Sequence, residues 1–289
     1  MPEASGPDVP APVAAVPEDP EDPDWLPPEF NTGTAHPARV YNYWLGGKDN
    51  FAADRKVGDS VMAAIPSAPL LARDNRAFLG RAVHYLAAEA GIRQFLDIGT
   101  GIPTAGNTHE VAQAAAPDAR VVYVDNDPIV LAHARALMTS DPAGATAFIL
   151  GDFREPGKIL ADPALRNTLD LDLPVALILV ALLHFFTDDE NPQAIVSSLV
   201  DALPSGSYLV MTNLTADFMD QEQAIRATQA GQQGGITYVP RTQAEVAAFF
   251  SGLDLVDPGV VAMQAWRPAD AALAVPDGPT SYAAVGRKA

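Results

Sequence analysis

From residue 95 onward, short apolar runs alternate with longer amphipathic stretches. FLDIG (Phe95–Gly99), VVYVD (Val121–Asp125), TAFIL (Thr146–Leu150), PVALILVA (Pro174–Ala181) and SYLVMT (Ser207–Thr212) each have the length of a buried strand. PVALILVA is apolar throughout, which predicts a central parallel strand covered on both faces. Between the runs lie helix signals. Asn107 and Glu110 have capping-box spacing for a helix through Ala116, and Pro128 suits the first turn of a helix through Met138. Further helices are expected over Gly157–Ala161 and Pro192–Leu203, after Asn213, and over Arg241–Ser251. This alternation predicts an α/β fold: a doubly wound, mostly parallel, Rossmann-like sheet. Two last strands, near Leu255–Met263 and Ser281–Arg287, leave no room for a helix between them except the loop Ala265–Thr280. They are expected to form an antiparallel C-terminal edge pair, making seven strands.

Upstream the pattern is helical. Asp49 reads as the N-cap of a helix from Asn50, with Val57, Val61 and Ile65 at four-residue spacing and Pro66 and Pro69 ending it. A second helix is expected from Leu71 to Ala90, stopped by Gly91. Residues 29–92 are thus expected to form an N-terminal helical cap on a core spanning 93–289. Residues 1–28 are rich in Pro, Asp, Glu and Ala, and are expected to be disordered. The cap opens on ARVYNYWLGGKDNFAADR, residues 38–55, which sets three aromatics and Gly46-Gly47 beside Lys48. Tyr41, Tyr43 and Trp44 are expected to cover a ligand or to plug the open end of the sheet, with the glycines making a turn.

Composition narrows the function. The net charge is −18, and Met1–Phe30 carries eight acids without Lys or Arg. An acidic surface repels phosphate backbones, so no nucleic-acid partner is expected. The absence of cysteine excludes disulfides, zinc–thiolate sites and thiol nucleophiles. Val175–Phe186, the longest apolar run, is too short to span a bilayer, and no basic segment followed by an apolar run opens the chain. A soluble cytoplasmic protein without membrane association is expected.

The candidate chemistry lies at the ends of the strands, where open α/β sheets bind ligands. Asp97-Ile-Gly99-Thr100-Gly101-Ile-Pro-Thr104 follows the first strand; its glycines let backbone approach a ligand, and the next helix N-terminus favours negative charge. Asp125 ends the second strand, beside Asn126, where a carboxylate can accept both hydroxyls of a ribose. Asp152-Phe153 ends the third, offering a carboxylate and a flat ring to an adenine. Together they predict an adenosine-type ligand. A dinucleotide is disfavoured, because Thr104 takes the place of the third glycine, Pro103 would meet a pyrophosphate, and some ninety residues precede the first strand.

DIGTG resembles the D/E-x-G-x-G motif of class I S-adenosylmethionine (SAM) methyltransferases. With ARVYNYWLGGKDNFAADR, QFLDIGTGIPTAGNTHEVAQ, VVYVDNDPIVLAHARAL, GVVAMQAWRP and YAAVGRK, the chain resembles the actinobacterial S-adenosyl methyltransferase family, long carried as a domain of unknown function. The resemblance runs from about Ala38 to Lys288. It implies SAM as methyl donor, S-adenosylhomocysteine (SAH) as product, and a small-molecule acceptor. It also implies that Asp97, Gly99, Thr100 and Gly101 face the methionine end, Asp125 and Asn126 the ribose, and Asp152 and Phe153 the adenine. Pro103, where a third glycine often sits, departs from the common form. Lys48 or Arg76 is expected to meet the donor carboxylate and Tyr41 to cover the donor.

His184, just past the fourth strand, is the candidate general base; its alternative is a packed structural histidine beside Phe185 and Phe186. His36, His84, His109 and His133 have weaker cases, and no metal-ligand spacing is evident. The acceptor pocket is expected from the cap and from residues 216–240. Two other readings stay open: a non-catalytic SAM- or SAH-binding protein, and a nucleotide-dependent oxidoreductase.

Overall fold

Side chains alternate strictly along the strands, and this divides the core in two. Leu96, Ile98, Val122, Val124, Leu177 and Leu179 pack on one face of a sheet; Phe95, Val121, Tyr123, Ala176 and Ile178 pack on the other. The computed structural model describes residues 31–268, 270 and 280–289. The expected leader over residues 1–28 and most of the Ala265–Thr280 connection lie outside the described residues.

Three helices, α1 (Pro37–Trp44), α2 (Ala52–Ala64) and α3 (Ala68–Ala88), precede β1 (Gln94–Ile98). Then follow α4 (Thr108–Ala115), β2 (Arg120–Asp125), α5 (Pro128–Leu137), β3 (Ala145–Leu150), α6 (Pro156–Ala161), α7 (Pro163–Thr168) and β4 (Ala176–Leu179). The chain continues through α8 (Pro192–Asp201), β5 (Tyr208–Leu214), α9 (Gln221–Gln233), α10 (Gln243–Ala248), β6 (Leu253–Leu255), β7 (Val261–Ala262) and β8 (Ser281–Lys288). The sheet order is β3-β2-β1-β4-β5-β8-β6, with β7 also on β8. β1 to β5 pair in parallel; β8 runs antiparallel to β5, β6 and β7. This is the doubly wound Rossmann-like arrangement, with α3 and α4 packed on one face of the sheet and α6 to α8 and α10 on the other.

The C-terminal strands differ in detail from the expected edge pair. β8 lies inside the sheet, hydrogen-bonded on both sides. The predicted strand Leu255–Met263 is broken into β6 and β7, so the described residues hold eight strands, not seven. Pro258 has no N–H to donate to a ladder, and Gly259 turns the chain with φ +83 and donates to the Val256 carbonyl at 2.8 Å.

The cap differs more. PARVYNYW is a helix, α1, and not a loop: the His36 side chain caps it by accepting from the Ala38 N–H, and Pro37 takes the first helical position. Asp49 is not the cap of α2. Phe51 occupies that position, and the carboxylate of Asp54 accepts its N–H at 2.8 Å. The Asp49 N–H donates instead to Asn42 Oδ1. Gly46 has φ +80, and a Cβ at Gly47 would overlap the Asn42 side chain, so the double glycine serves the tight turn between α1 and α2. Val40, Val57, Val61, Ile65, Ala68 and Ile236 form a third apolar cluster, which binds α1 and α2 to the segment after α9. Among the described residues no helix is long and apolar enough to cross a membrane.

Candidate functional site

A cleft of about 530 Å³ opens at the carboxyl ends of β1, β2 and β4, beneath α1. Asp97, Gly99, Thr100, Gly101, Asp125 and Asn126 line it from the strand ends, Tyr41 from α1 and Arg76 from α3. The glycine loop is shaped by backbone. Gly99 has φ +76, and a Cβ there would come within 2.6 Å of Leu182 Cδ1. Gly101 has φ +69, and its Cβ direction is open to 4.0 Å. That leaves space a ligand can fill.

Two buried carboxylates flank the loop. Asp125 Oδ2 accepts the Gly101 N–H at 2.8 Å and its Oδ1 accepts the Asp127 N–H at 3.0 Å. Burial raises its carboxyl above the usual range, against the pull of those two bonds. Asp97 accepts the Thr108 hydroxyl at 2.6 Å, and burial pushes it up to about 6. Arg76 is anchored by the Gly106 carbonyl at 2.8 Å, and its charge pulls Asp97 back down.

The cover is fixed by charges from three parts of the chain. Arg39 of α1 is buried, with Nε 3.2 Å from Asp127 Oδ2 and 3.7 Å from Asp54 Oδ1. The His36 N–H donates to Asp54 Oδ1 at 2.9 Å. Asp127 also caps α5 through the Ile129 N–H. The end of β2 therefore holds α1 over the cleft. Nothing local marks Arg39, Asp54 and Asp127 as partners, because they lie far apart in sequence.

Other expected site residues are placed elsewhere. Lys48 is exposed and does not line the cleft. Neither Asp152 nor Phe153 lines it. Asp152 accepts from the backbone and guanidinium of Arg154, and Phe153 is buried against Phe186 with ring centroids 4.8 Å apart. Arg154 takes the place on the wall, ion-paired to Glu190 at 2.8 Å and stacked over Phe186. The aromatics of α1 divide. Tyr41 reaches the cleft. The Tyr43 hydroxyl donates to Asp59 and the Trp44 indole to the Gly58 carbonyl, both on α2.

A second cavity, about 90 Å³, adjoins the cleft between α1, α2, α9 and the β4 and β5 loops. Pro37, Tyr41, Asn75, Ala181 and Phe185 line both spaces. This shared wall is locked by one run of hydrogen bonds. The Ala181 N–H donates to the Thr212 hydroxyl, which donates to Asn75 Oδ1; the Asn75 amide donates to the Tyr41 hydroxyl, which donates to the Ala72 carbonyl. The run fixes the orientation of the Asn75 amide. Ala181 sits at φ +56, strained backbone at the meeting point of the two cavities.

His184 lines the second cavity and not the cleft. It is buried, its Nδ1 has no hydrogen-bond partner, and burial pushes it down to about 3, helped by the charge of Arg241. Its ring packs against Phe185 and Tyr238. His109 is bonded to the buried Tyr123 hydroxyl, His84 is exposed, and His133 stands 3.9 Å from Asp49. Among the described residues no group of three His, Asp or Glu could hold a metal ion.

The cleft residues fit an adenosyl amino acid. Open space at Gly101, a buried carboxylate at the end of β2, and opposite charges at Asp97 and Arg76 match a diol and a zwitterion. The model of the S-adenosyl methyltransferase family matches residues 23–289. A crystal structure of a DUF574 family protein from Streptomyces avermitilis is 48% identical with a TM-score of 0.85, covering 89% of this chain and 99% of that one. A protein from Thermobifida fusca, provisionally named a methyltransferase, is 42% identical with a TM-score of 0.81, covering 91% and 98%. Magnesium protoporphyrin IX methyltransferase from Synechocystis, solved with bound SAH, is 11% identical with a TM-score of 0.50, covering 86% and 93%, and shares the fold. No curated protein matches the chain. With a family match spanning nearly its whole length, the chain belongs to the S-adenosyl methyltransferase family and is a SAM-dependent methyltransferase.

Proposed function

We propose that this methyltransferase binds its donor in the cleft and a small-molecule acceptor in the adjoining cavity, and that the two meet at the shared wall. The observation that carries this reading is that wall: Pro37, Tyr41, Asn75, Ala181 and Phe185 face both spaces. Bound there, SAM would supply a sulfonium methyl group: the acceptor's lone pair would bond to the methyl carbon as the S–CH3 bond breaks, giving neutral SAH, and the acceptor would release its proton to solvent. The protein's part is to hold both reactants at contact distance.

Asp97 and Arg76 take the ammonium and carboxylate of the amino-acid end. Asp125 has lone pairs left for the ribose after accepting from Gly101 and Asp127. Arg154 and Phe186 form the wall where the adenine lies. Held by Arg39, α1 closes the cleft and excludes water from the transfer. The net charge of −18 argues against a nucleic-acid acceptor.

The test is calorimetry with SAH, followed by transfer of labelled methyl from SAM to an extract of small molecules from an actinobacterium. Binding and label incorporation are expected. Folded protein that fails to bind SAH would contradict the donor site; incorporation that a bulky residue in the adjoining cavity leaves unchanged would contradict the acceptor site.

A further inference from the structure

The adjoining cavity has a narrower chemistry than a methyl acceptor in general requires. Trp44, Ile65, Leu71, Phe185, Met219 and Tyr238 make much of its lining, and no Asp, Glu, Lys or Arg is part of it. Its ionisable side chains are uncharged near neutral pH. Burial pushes the Tyr41 hydroxyl up to about 12 and raises that of Tyr238 further; His184 is pushed down to about 3. Arg241, whose charge acts on His184, is spent on the carbonyls of Leu183 and Phe186 and the side chains of Asn213 and Asp188. A charge placed in this cavity would lose its water and gain no counter-ion.

The polar atoms at the shared wall are also committed. Tyr41, Asn75 and Thr212 bond one another in the run described above. The imidazole of His184 differs. It is 5% exposed, it lines the cavity, and Nδ1 has no partner. A buried nitrogen left without a partner is unfavourable unless a ligand supplies one. Around it stand flat faces: Phe185 at 4.3 Å from the His184 ring centroid, and Tyr238 at 5.5 Å from that of Phe185.

We propose, resting on the reading that this cavity holds the acceptor, that the acceptor is an uncharged molecule with a flat apolar body, which presents an O–H or N–H to the imidazole of His184. The aromatic walls hold the body, and the imidazole orients the polar group. The lining has no counter-ion for a charged amine or a carboxylate, so the only charge next to the acceptor is the donor's own sulfonium, which the SAH complex lacks.

The test uses the full chain saturated with SAH and three single-ring probes matched to the small cavity, phenol, benzoate and benzylammonium, titrated by calorimetry. The uncharged probe is expected to bind at least about 100-fold tighter than either ion. His184→Leu is expected to weaken phenol about tenfold while leaving toluene within about twofold, since only the former has a donor to lose. Ala227→Phe, on the cavity wall away from the cleft, is expected to abolish probe binding and to keep SAH binding. An ion that binds as tightly as phenol and is blocked by Ala227→Phe overturns the inference alone. So does protein that takes SAH and binds none of the probes. Probe binding unchanged by Ala227→Phe overturns the placement of the acceptor in this cavity.

Discussion

Asp125→Asn has two separable consequences, both set by the bonds its carboxylate makes. In the folded protein each oxygen meets a backbone donor, Gly101 N–H at 2.8 Å and Asp127 N–H at 3.0 Å. An amide has only one acceptor oxygen. Whichever way it turns, its NH₂ faces one of those N–H groups, and a buried donor is left unpaired, which costs about 1–3 kcal/mol. The substitution also removes a buried charge whose carboxyl burial has raised, and that relief offsets part of the cost. The expected loss of stability is therefore near the lower bound, about 1 kcal/mol. Binding has no such offset. Two charge-assisted bonds to a ribose diol are lost or weakened, about 2–4 kcal/mol together. That corresponds to about 30- to 700-fold in affinity. Calorimetry with SAH and a thermal melt measure the two effects on one sample. Folded Asp125→Asn that binds SAH within about threefold of the unsubstituted protein would refute the role of Asp125 as the diol acceptor.

Gly99→Ala and Gly101→Ala carry similar backbone strain at φ +76 and +69, but only the first collides with Leu182. Both should lose about 1–2 kcal/mol of stability, with Gly99→Ala the larger loss by denaturant titration; equal losses would mean Leu182 moves freely. Arg39→Met leaves Asp54 and Asp127 buried without their cation, and should cost about 3–5 kcal/mol by the same titration; a loss below about 1 kcal/mol would show that the cation does not hold α1. His184, depressed to about 3 in the folded protein, contributes stability fully above its unfolded value near 6.5 and loses it as pH falls toward 3. Unfolding free energies of His184→Leu and the unsubstituted chain should therefore diverge between pH 6.5 and 4, by up to about 1.4 kcal/mol per pH unit, the variant losing less; parallel curves would show an imidazole that is not buried as a neutral ring.

The strand ends that build the cleft were legible because their signals are local. Each of the runs at Phe95, Val121, Thr146, Pro174 and Ser207 is apolar and ends at a turn, so the sheet and its glycine loop follow from periodicity. Gly99, Gly101, Asp97 and Asp125 stand at those ends and line the cleft. Asp152 and Phe153 stand at the end of β3 by the same logic and still do not line it. Their side chains are taken by Arg154 and by the core around Phe186, and no spacing reports such competition.

The cover was the least legible part. Tyr41, Tyr43 and Trp44 lie on one short helix and were expected to act together. The helix rotates them about 100° per residue, so Tyr43 turns away from Tyr41 to bond Asp59, while Trp44, three residues on, stays on the Tyr41 side, lines the adjoining cavity with it and bonds the Gly58 carbonyl. The double glycine answers to Asn42 and to a turn, not to a ligand.

The amino-acid order alone determined the sheet, the glycine loop, the carboxylate at the end of β2 and the family, because these rest on patterns a few residues long. Tertiary structure decided which side chains share a space. It brought Arg39 to Asp54 and Asp127, set Asn75 between Tyr41 and Thr212, and put His184 in an apolar cavity instead of the donor cleft. Those pairings join residues up to 137 positions apart, and only the packing of α3 on the sheet and of α1 and α2 on one another makes them neighbours.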